Sequence, residues 1–474
     1  MSLRAPTRSG GRGRGGSVSG AALSCLSLAA LGVGLMQAIG YLTDTALLLV
    51  ILSLVLAVLA LRSGLRMPGR GWWVATTVIA GLTNLLYPQL GGPFAYHVGG
   101  QIALTLALTA MAGAACALRS GRAATVLVAG AGLCLLALMA VTSTWGLVRI
   151  DVFTAVTGAT RALLHGANPY SPVFNMRLPQ YPWWVHAHFV YGPIVPFLSA
   201  LGWLVGDVRV SCAAALAVTF LGLWLLACQG GHRLDAHRIV ALAIASPLNV
   251  GMVTRGWVEI YIVAGVVLWL ALRGSRRRLA TVSLGIAMLV SPLTLLMVLP
   301  GFIWSRRARR EVAAAVIGAV VFAIPFALIT GVGAFLSDIV GFQLSMPMWP
   351  TALTVTAFAW QSWHLALSSL VTGAVVLIAV AVIAWRGRPA QLGEVAVQTA
   401  VLLLATFLFA KWAFFNEYFM VSALLLAGLA GAEVALPVAD VALPDPRNLR
   451  RLAPRATPRV SAGPVVDATS APFG

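Results

Sequence analysis

Charge is what this sequence has least of. Only 9% of its 474 residues are charged, and just 13 are acidic, where a water-soluble domain carries about 25% charged residues. With 60% hydrophobic residues and a mean hydropathy of +0.92, the chain cannot clothe a water-facing surface. A soluble enzyme is excluded and an integral membrane protein is indicated. Lysine occurs once, at Lys411, so nearly all the basic charge is arginine. The net charge of +19 resides in short arginine clusters between apolar runs. Such clusters mark the cytoplasmic loops of a polytopic protein, not a nucleic-acid surface, and no nucleic acid is expected as a partner. Cysteine is also scarce. Cys25, Cys116, Cys134, Cys212 and Cys228 all lie in apolar runs, without the spacing of a disulfide framework or a zinc site. They read as small core residues.

What is present is a succession of apolar runs. About 20 apolar residues cross a bilayer as a helix, and runs of that kind cover 21–41, 44–61, 71–88, 98–118 and 123–148. With the arginines on the inside, residues 149–190 fall outside; they form the longest polar interruption and hold Asp151. The segment 192–206 is short and contains Pro196, so it is expected to dip into the membrane or lie on its surface. Then 209–229 runs in, 238–254 out and 257–272 in. The stretch 279–304 has arginine clusters on both flanks but is too short for two full spans. A hairpin of two half-length helices broken at Ser291-Pro292 satisfies both flanks, and predicts a cavity reaching part-way into the membrane from outside. After it, 311–333 runs out to a second external segment, 334–363; 364–385 runs in, 395–410 out and 417–436 in.

The expected fold is thus an all-α polytopic bundle of about 12 or more transmembrane helices, with half-length helices and an external loop carrying surface helices. Its parts are a disordered Arg/Gly tail over 1–20, N-terminal transmembrane helices over 21–118, a main transmembrane module over 119–436 with the external loop 149–190, and a Pro/Arg/Ala-rich disordered tail over 437–474. An RNA-binding reading of the first tail is the weaker alternative to a cytosolic anchor. The location is the plasma (inner) membrane, multi-pass. The Ala/Gly/Val- and Arg-rich composition suits a high-GC bacterium.

Ionisable residues in or beside a membrane are expensive and need a reason. In this scheme the external edge gathers Asp151, Arg161, His165, Arg177, His186, His188, Arg255, Glu259, Lys411 and Glu417. Asp151 sits where a membrane helix meets a surface helix. It is either a general base for a hydroxyl arriving from outside or a helix N-cap. The aromatic stretch at Tyr181-Pro182-Trp183-Trp184, with Tyr191-Gly192-Pro193, is either an interfacial belt or a wall for a sugar. Lys411 is either a snorkelling anchor or, like Arg255, a phosphate ligand. No metal-ligand cluster stands out, although Asp151 with Glu259 could hold a divalent ion.

The pattern Asp151 … Gly166-Ala167-Asn168-Pro169-Tyr170 … Tyr191-Gly192-Pro193 resembles the GT-C superfamily of polyprenol-phosphate-sugar-dependent glycosyltransferases. Within it the chain looks most like the actinobacterial α-(1→6)-mannosyltransferases of lipomannan synthesis. Their pattern is an Asp after an early span, then G-x-D/N-P-Y, then P-Y-G-P. The resemblance covers residues 120–430 and continues at Ser246-Pro247-Leu248-Asn249 and in the 279–304 hairpin. It departs at Gly256-Trp257-Val258-Glu259, where that group has G-H-N-D, and at Ser291, where it commonly has lysine.

The resemblance implies an inverting glycosyltransferase with its active site on the extracytoplasmic side. A polyprenyl-phosphate sugar, mannose in that group, would be the donor, and a lipoglycan or glycan hydroxyl the acceptor. Asp151 would be the catalytic base. Glu259, Arg255, Lys411, Glu417, Asn168, Tyr170, Tyr191, His186 and His188 would bind substrate, and no cofactor is implied. The rival readings are a lipid or solute transporter (a flippase), which also needs broken helices and buried charge, and a catalytically inactive scaffold relative.

Overall fold

The computed structural model describes residues 19–38, 41–86, 98–144, 151–177, 184–187, 189–231, 233–345, 348–387 and 389–436. Both expected tails lie outside these, apart from the first residues of α1 (Gly20–Ala38). That helix and α2 (Asp44–Ser63) form a hairpin. Thr43 caps α2 through the Ala46 N–H, Ser27 donates to Ser53 O inside the hairpin, and Gly20 N–H donates to Gly64 O at its open end. There follow α3 (Arg70–Thr83), α4 (Val98–Ala117) and α5 (Gly121–Thr144). These N-terminal helices pack on α9 (Arg233–Ala245), α19 (Leu392–Leu408) and α20 (Phe415–Ala430), so they share one body with the rest.

After α5 come α6 (Asp151–Leu164) and a two-stranded antiparallel ribbon. β1 (Phe174–Arg177) faces β2 (Trp184–Ala187), with Phe174 opposite Ala187. Apart from this short ribbon the described elements are helical, as expected. Between the ribbon and α9 lie α7 (Val195–Trp203) and α8 (Arg209–Gln229). At nine residues, about 14 Å, α7 is too short to span, as its sequence implied.

The expected single span 238–254 is two helices, α9 and α10 (Leu248–Thr254), bent by 59° at Ser246-Pro247. Proline cannot donate to the helix ladder, and the residue before it is pushed out of the helical region. The chain then runs through α11 (Glu259–Leu272), α12 (Arg277–Val290) and α13 (Thr294–Trp304), the last two broken at Ser291-Pro292 as the sequence implied. α14 (Arg306–Thr330) is long and exposed; its first turn takes in the arginines that had been expected to lie in a loop. The segment after it, expected to be external, holds α15 (Val332–Leu336), a π-helical turn, α16 (Phe342–Ser345) and α17 (Val355–Trp363). α18 (Ser369–Arg386) precedes α19 and α20.

Seven described helices (α1, α2, α4, α5, α8, α14 and α18) are long and apolar enough to cross a membrane, or eight if the bent α9–α10 pair is one span. The apolar helices α11, α13, α19 and α20 are shorter. Those of them nearest the centre are wrapped by protein: every residue of α20 is buried, as are 12 of the 14 in α11. At the other extreme, only 11% of the α14 span and 6% of the α18 span are buried.

Contacts sort the helix ends into two levels. At the arginine-rich level, Arg70 reaches Ala117 O, Arg238 reaches Cys116 O, His237 meets Thr125, and Gln229 bonds Ala271 O. Arg273 donates to Ser305 there, and Glu311 accepts from Arg307 (2.9 Å) and from the Trp269 indole (2.9 Å). The other level holds the C-terminal ends of α5, α12, α14 and α19 and the N-terminal ends of α6, α8, α11 and α20. Arg209 reaches Ser143 O, Asn168 reaches Thr330, and Thr372 reaches Phe409 O. The acids singled out from the sequence lie at this second level.

The expected cavity at the α12–α13 tip is occupied by protein. Gly192 N–H donates to Val290 O at 3.0 Å, and the Tyr191-Gly192 turn presses on the Leu289 carbonyl. A broken helix at membrane depth needs its freed carbonyls satisfied, and here a backbone N–H does it. Two small cavities, about 20 and 10 Å³, lie elsewhere, on either side of Ser246 and Ser422.

Candidate functional site at the acidic level

Three helix N-termini carry acids in their first turns and meet: Asp151 on α6, Glu259 on α11 and Glu417 on α20. The helix dipole and the free N–H groups of a first turn favour a carboxylate there. Asp151 Oδ1 accepts from the Val152 N–H at 2.9 Å, and Glu417 Oε2 accepts from the Phe414 N–H at 2.9 Å. Both therefore do some of the work of a helix cap. The α10–α11 turn brings Glu259 towards Asp151. Gly256, with φ +67°, lies against Phe153, where a Cβ would sit 3.3 Å from Phe153 Cδ2. The Arg209 guanidinium also lies over Phe153, 5.1 Å from the ring centre.

Glu259 and Glu417 are joined by one amide. Asn416 Nδ2 is 2.9 Å from Glu259 Oε1 and 2.9 Å from Glu417 Oε1. All three side chains are buried. Among the described residues, Glu259 Oε2 is buried with no hydrogen-bond partner, and so is Arg255 Nε. The Arg255 guanidinium lies 5.0 Å from the centre of the Trp257 ring, and Trp257 stacks on Phe415 at 5.3 Å. The cation is thus held by an aromatic face, which suits guanidinium better than ammonium.

Tyr191 completes the group. Burial pushes its phenol well above the ordinary value, and the charges of Glu259, Asp151 and Glu417 push it further. It remains a protonated donor at neutral pH. Burial also raises the Asp151 carboxyl above its ordinary value, against the opposing pull of the backbone N–H bonds. The carboxyl therefore keeps its proton to higher pH than a free aspartate does.

The other residues singled out from the sequence separate into positioning groups and outliers. Tyr170 is 1% exposed; its OH donates to Tyr191 O at 2.8 Å, and its ring meets Phe189 and Phe335 edge-on. It sets the height of the Tyr191 turn. Asn168 accepts from the Tyr170 N–H and donates to Thr330, tying the Asn-Pro-Tyr turn to the end of α14. The Lys411 amine donates to Leu344 O at 3.1 Å, on the segment after α14. Arg161 and His165 lie towards the far end of α6, Arg161 against Trp203. His188 and the side chains of His186 and Arg177 lie outside the described residues.

The residues that sequence reasoning left out are Asn416, Trp257 and Phe415. Asn416 carried a signal: with Glu417 it heads an otherwise apolar helix, where two adjacent polar groups are costly. Trp257 counted in the sequence only as a departure from a motif. Among the described residues no three His, Cys, Asp or Glu side chains converge as a metal-ligating group. No family model, no curated protein and no solved structure matches the chain.

Proposed function

We propose that this chain is a membrane-embedded, GT-C-like glycosyltransferase, which moves a sugar, mannose by the motif resemblance, from a polyprenyl-phosphate donor to a glycan or lipoglycan hydroxyl. The observation that carries the reading is the meeting of Asp151, Glu259, Glu417, Tyr191 and Arg255 at the level opposite the arginine clusters. By the positive-inside rule that level is extracytoplasmic, where a lipid-linked donor is available and nucleotide sugars are not. The exposed apolar lengths of α14 and α18 face lipid in this reading.

Asp151 takes the proton of the acceptor hydroxyl as its oxygen attacks the anomeric carbon. The carbon–oxygen bond to phosphate breaks on the opposite face, which inverts the centre. The electron pair leaves with the polyprenyl phosphate, and the proton stays on Asp151. Arg255 is the better placed cation for that developing charge, because its buried Nε–H lacks a protein acceptor, while the Lys411 amine already gives one of its three donors to Leu344 O. Glu259 and Tyr191 offer an acceptor and a donor to sugar hydroxyls. Tyr170 and Asn168 act through the turn they hold.

The test uses purified protein in liposomes with labelled polyprenyl-phosphate mannose and an alkyl mannoside acceptor. Growth of the mannoside by one residue supports the reading, with no growth expected when GDP-mannose replaces the lipid donor. Movement of label across the bilayer without a new glycosidic bond would replace it with the flippase reading. Neither bond nor movement, with folded protein, would leave the scaffold reading.

A further inference from the structure

We infer that Asn416 is a positioning residue that sets sugar-hydroxyl specificity: it holds Glu259 so that one buried oxygen, Oε2, is left to accept a single hydroxyl of the substrate. This rests on the sugar-transfer reading above. The amide gives both its hydrogens to carboxylates, one to Glu259 Oε1 and one to Glu417 Oε1, each at 2.9 Å. Its NH₂ end faces them, so both contacted oxygens act as acceptors. Glu417 is fixed at its second oxygen by the Phe414 N–H. Backbone, Glu417, Asn416 and Glu259 therefore form one chain of fixation, and Glu259 Oε2 is its open end.

A purely structural cluster would close that end. Glu259 is only 9% exposed, yet Oε2 has no donor among the described residues. A buried acceptor without a partner is destabilising, and it becomes favourable only when something supplies a donor. Trp257 and Phe415, sequence neighbours of Glu259 and Asn416, stack on one another and are buried, which makes the surroundings of the carboxyl apolar. An unmet buried acceptor in such surroundings fits a neutral hydroxyl donor better than an anion, and among the described residues no three His, Cys, Asp or Glu side chains converge as a metal ion would need. A site built to bond a hydroxyl rejects the analogue that lacks it, since the protein group is then left buried and unpaired.

The experiment measures kcat/KM of the wild type and of Asn416→Ala in liposomes, with polyprenyl-phosphate mannose and each of its monodeoxy analogues, and with octyl mannoside and its monodeoxy analogues. The ratio between a full and a deoxy substrate does not depend on how much protein folds, so a purely structural defect leaves it unchanged. Asn416→Asp, which keeps the size but loses the NH₂, is measured alongside. The expected wild type rejects one deoxy compound by about 10- to 100-fold, the value of a hydrogen bond to a charged group. In both variants that factor falls towards one and KM for the full substrate rises. Wild-type rejection retained in the variants, or a wild type indifferent to every single deoxygenation, would overturn the inference while leaving sugar transfer standing. Absence of transfer by folded wild type would instead overturn the sugar-transfer reading itself.

Discussion

Gly192→Ala tests how the candidate site is held. Gly192 seats the Tyr191 turn on the broken end of α12. A Cβ there would overlap the Leu289 carbonyl, 2.6 Å from its carbon, and lie 3.1 Å from Val290 O. These are backbone atoms at a helix end and cannot rotate aside. The turn must lift by roughly an ångström or α12 must unravel, and either change breaks the Gly192–Val290 hydrogen bond. Forcing an extra methyl into a packed interior costs about 1–3 kcal/mol, and the lost bond about 1 more, so about 2–4 kcal/mol is expected. Equilibrium unfolding in detergent micelles, followed by tryptophan fluorescence, reads the loss. Gly318→Ala is the control: nothing lies within 4 Å of that position on exposed α14, and alanine there is expected to be neutral or stabilising by up to about 1 kcal/mol. The reasoning is refuted if Gly192→Ala unfolds within about 0.5 kcal/mol of wild type.

Three further outcomes are expected. Glu311→Gln leaves the buried Arg273 and half-buried Arg307 without their shared counter-ion and is expected to cost about 3–5 kcal/mol, read by the same unfolding assay; a cost under about 1 kcal/mol would show that the cluster is well hydrated. Asp151 carries a raised carboxyl, so its contribution to stability is whole below the unfolded value near 3.9 and is lost as pH rises through the folded value. Asp151→Asn is therefore expected to be more stable than wild type at neutral pH, with the two converging below about pH 4, and the acid limb of wild-type kcat/KM should lie above the ordinary aspartate range. Arg255→Met is expected to lower kcat on the order of 100-fold, and Lys411→Met by much less; the reverse order in steady-state assays would move the phosphate contact to Lys411.

Much of the scaffold was legible because bilayer physics leaves few choices. The α12–α13 break at Ser291-Pro292 followed from arginines on both flanks of a stretch too short for two spans. The same Ser-Pro pair at Ser246-Pro247 went unread as a break, because 238–254 has one plausible flank at each end and nothing forced the alternative. The β1–β2 ribbon was illegible for a different reason: Phe174–Arg177 and Trp184–Ala187 are four-residue strands, too short for alternation to register. Filling of the α12–α13 tip by Gly192 is a contact between segments distant in sequence, and no local pattern encodes it.

At the candidate site, Asp151, Glu259 and Glu417 stood out as acids in a chain nearly devoid of them. Their joining through Asn416 did not, since the Glu259–Asn416 bond spans 157 positions. The spare oxygen of Glu259 and the spare Nε–H of Arg255 became visible only once every neighbour had been placed. The bond from Lys411 to Leu344 O, which uses one of the three donors of the amine, was likewise invisible in the sequence.

The most direct test of the central claim compares wild type with Asp151→Asn, at equal folded abundance in liposomes, for transfer from polyprenyl-phosphate mannose. Asparagine keeps the shape and the carbonyl oxygen that accepts the Val152 N–H but cannot take a proton from an attacking hydroxyl. The account predicts transfer by the wild type and a fall of about 100-fold or more in the variant, with the donor still bound. Undiminished transfer by Asp151→Asn would contradict it and remove the base from the acidic level.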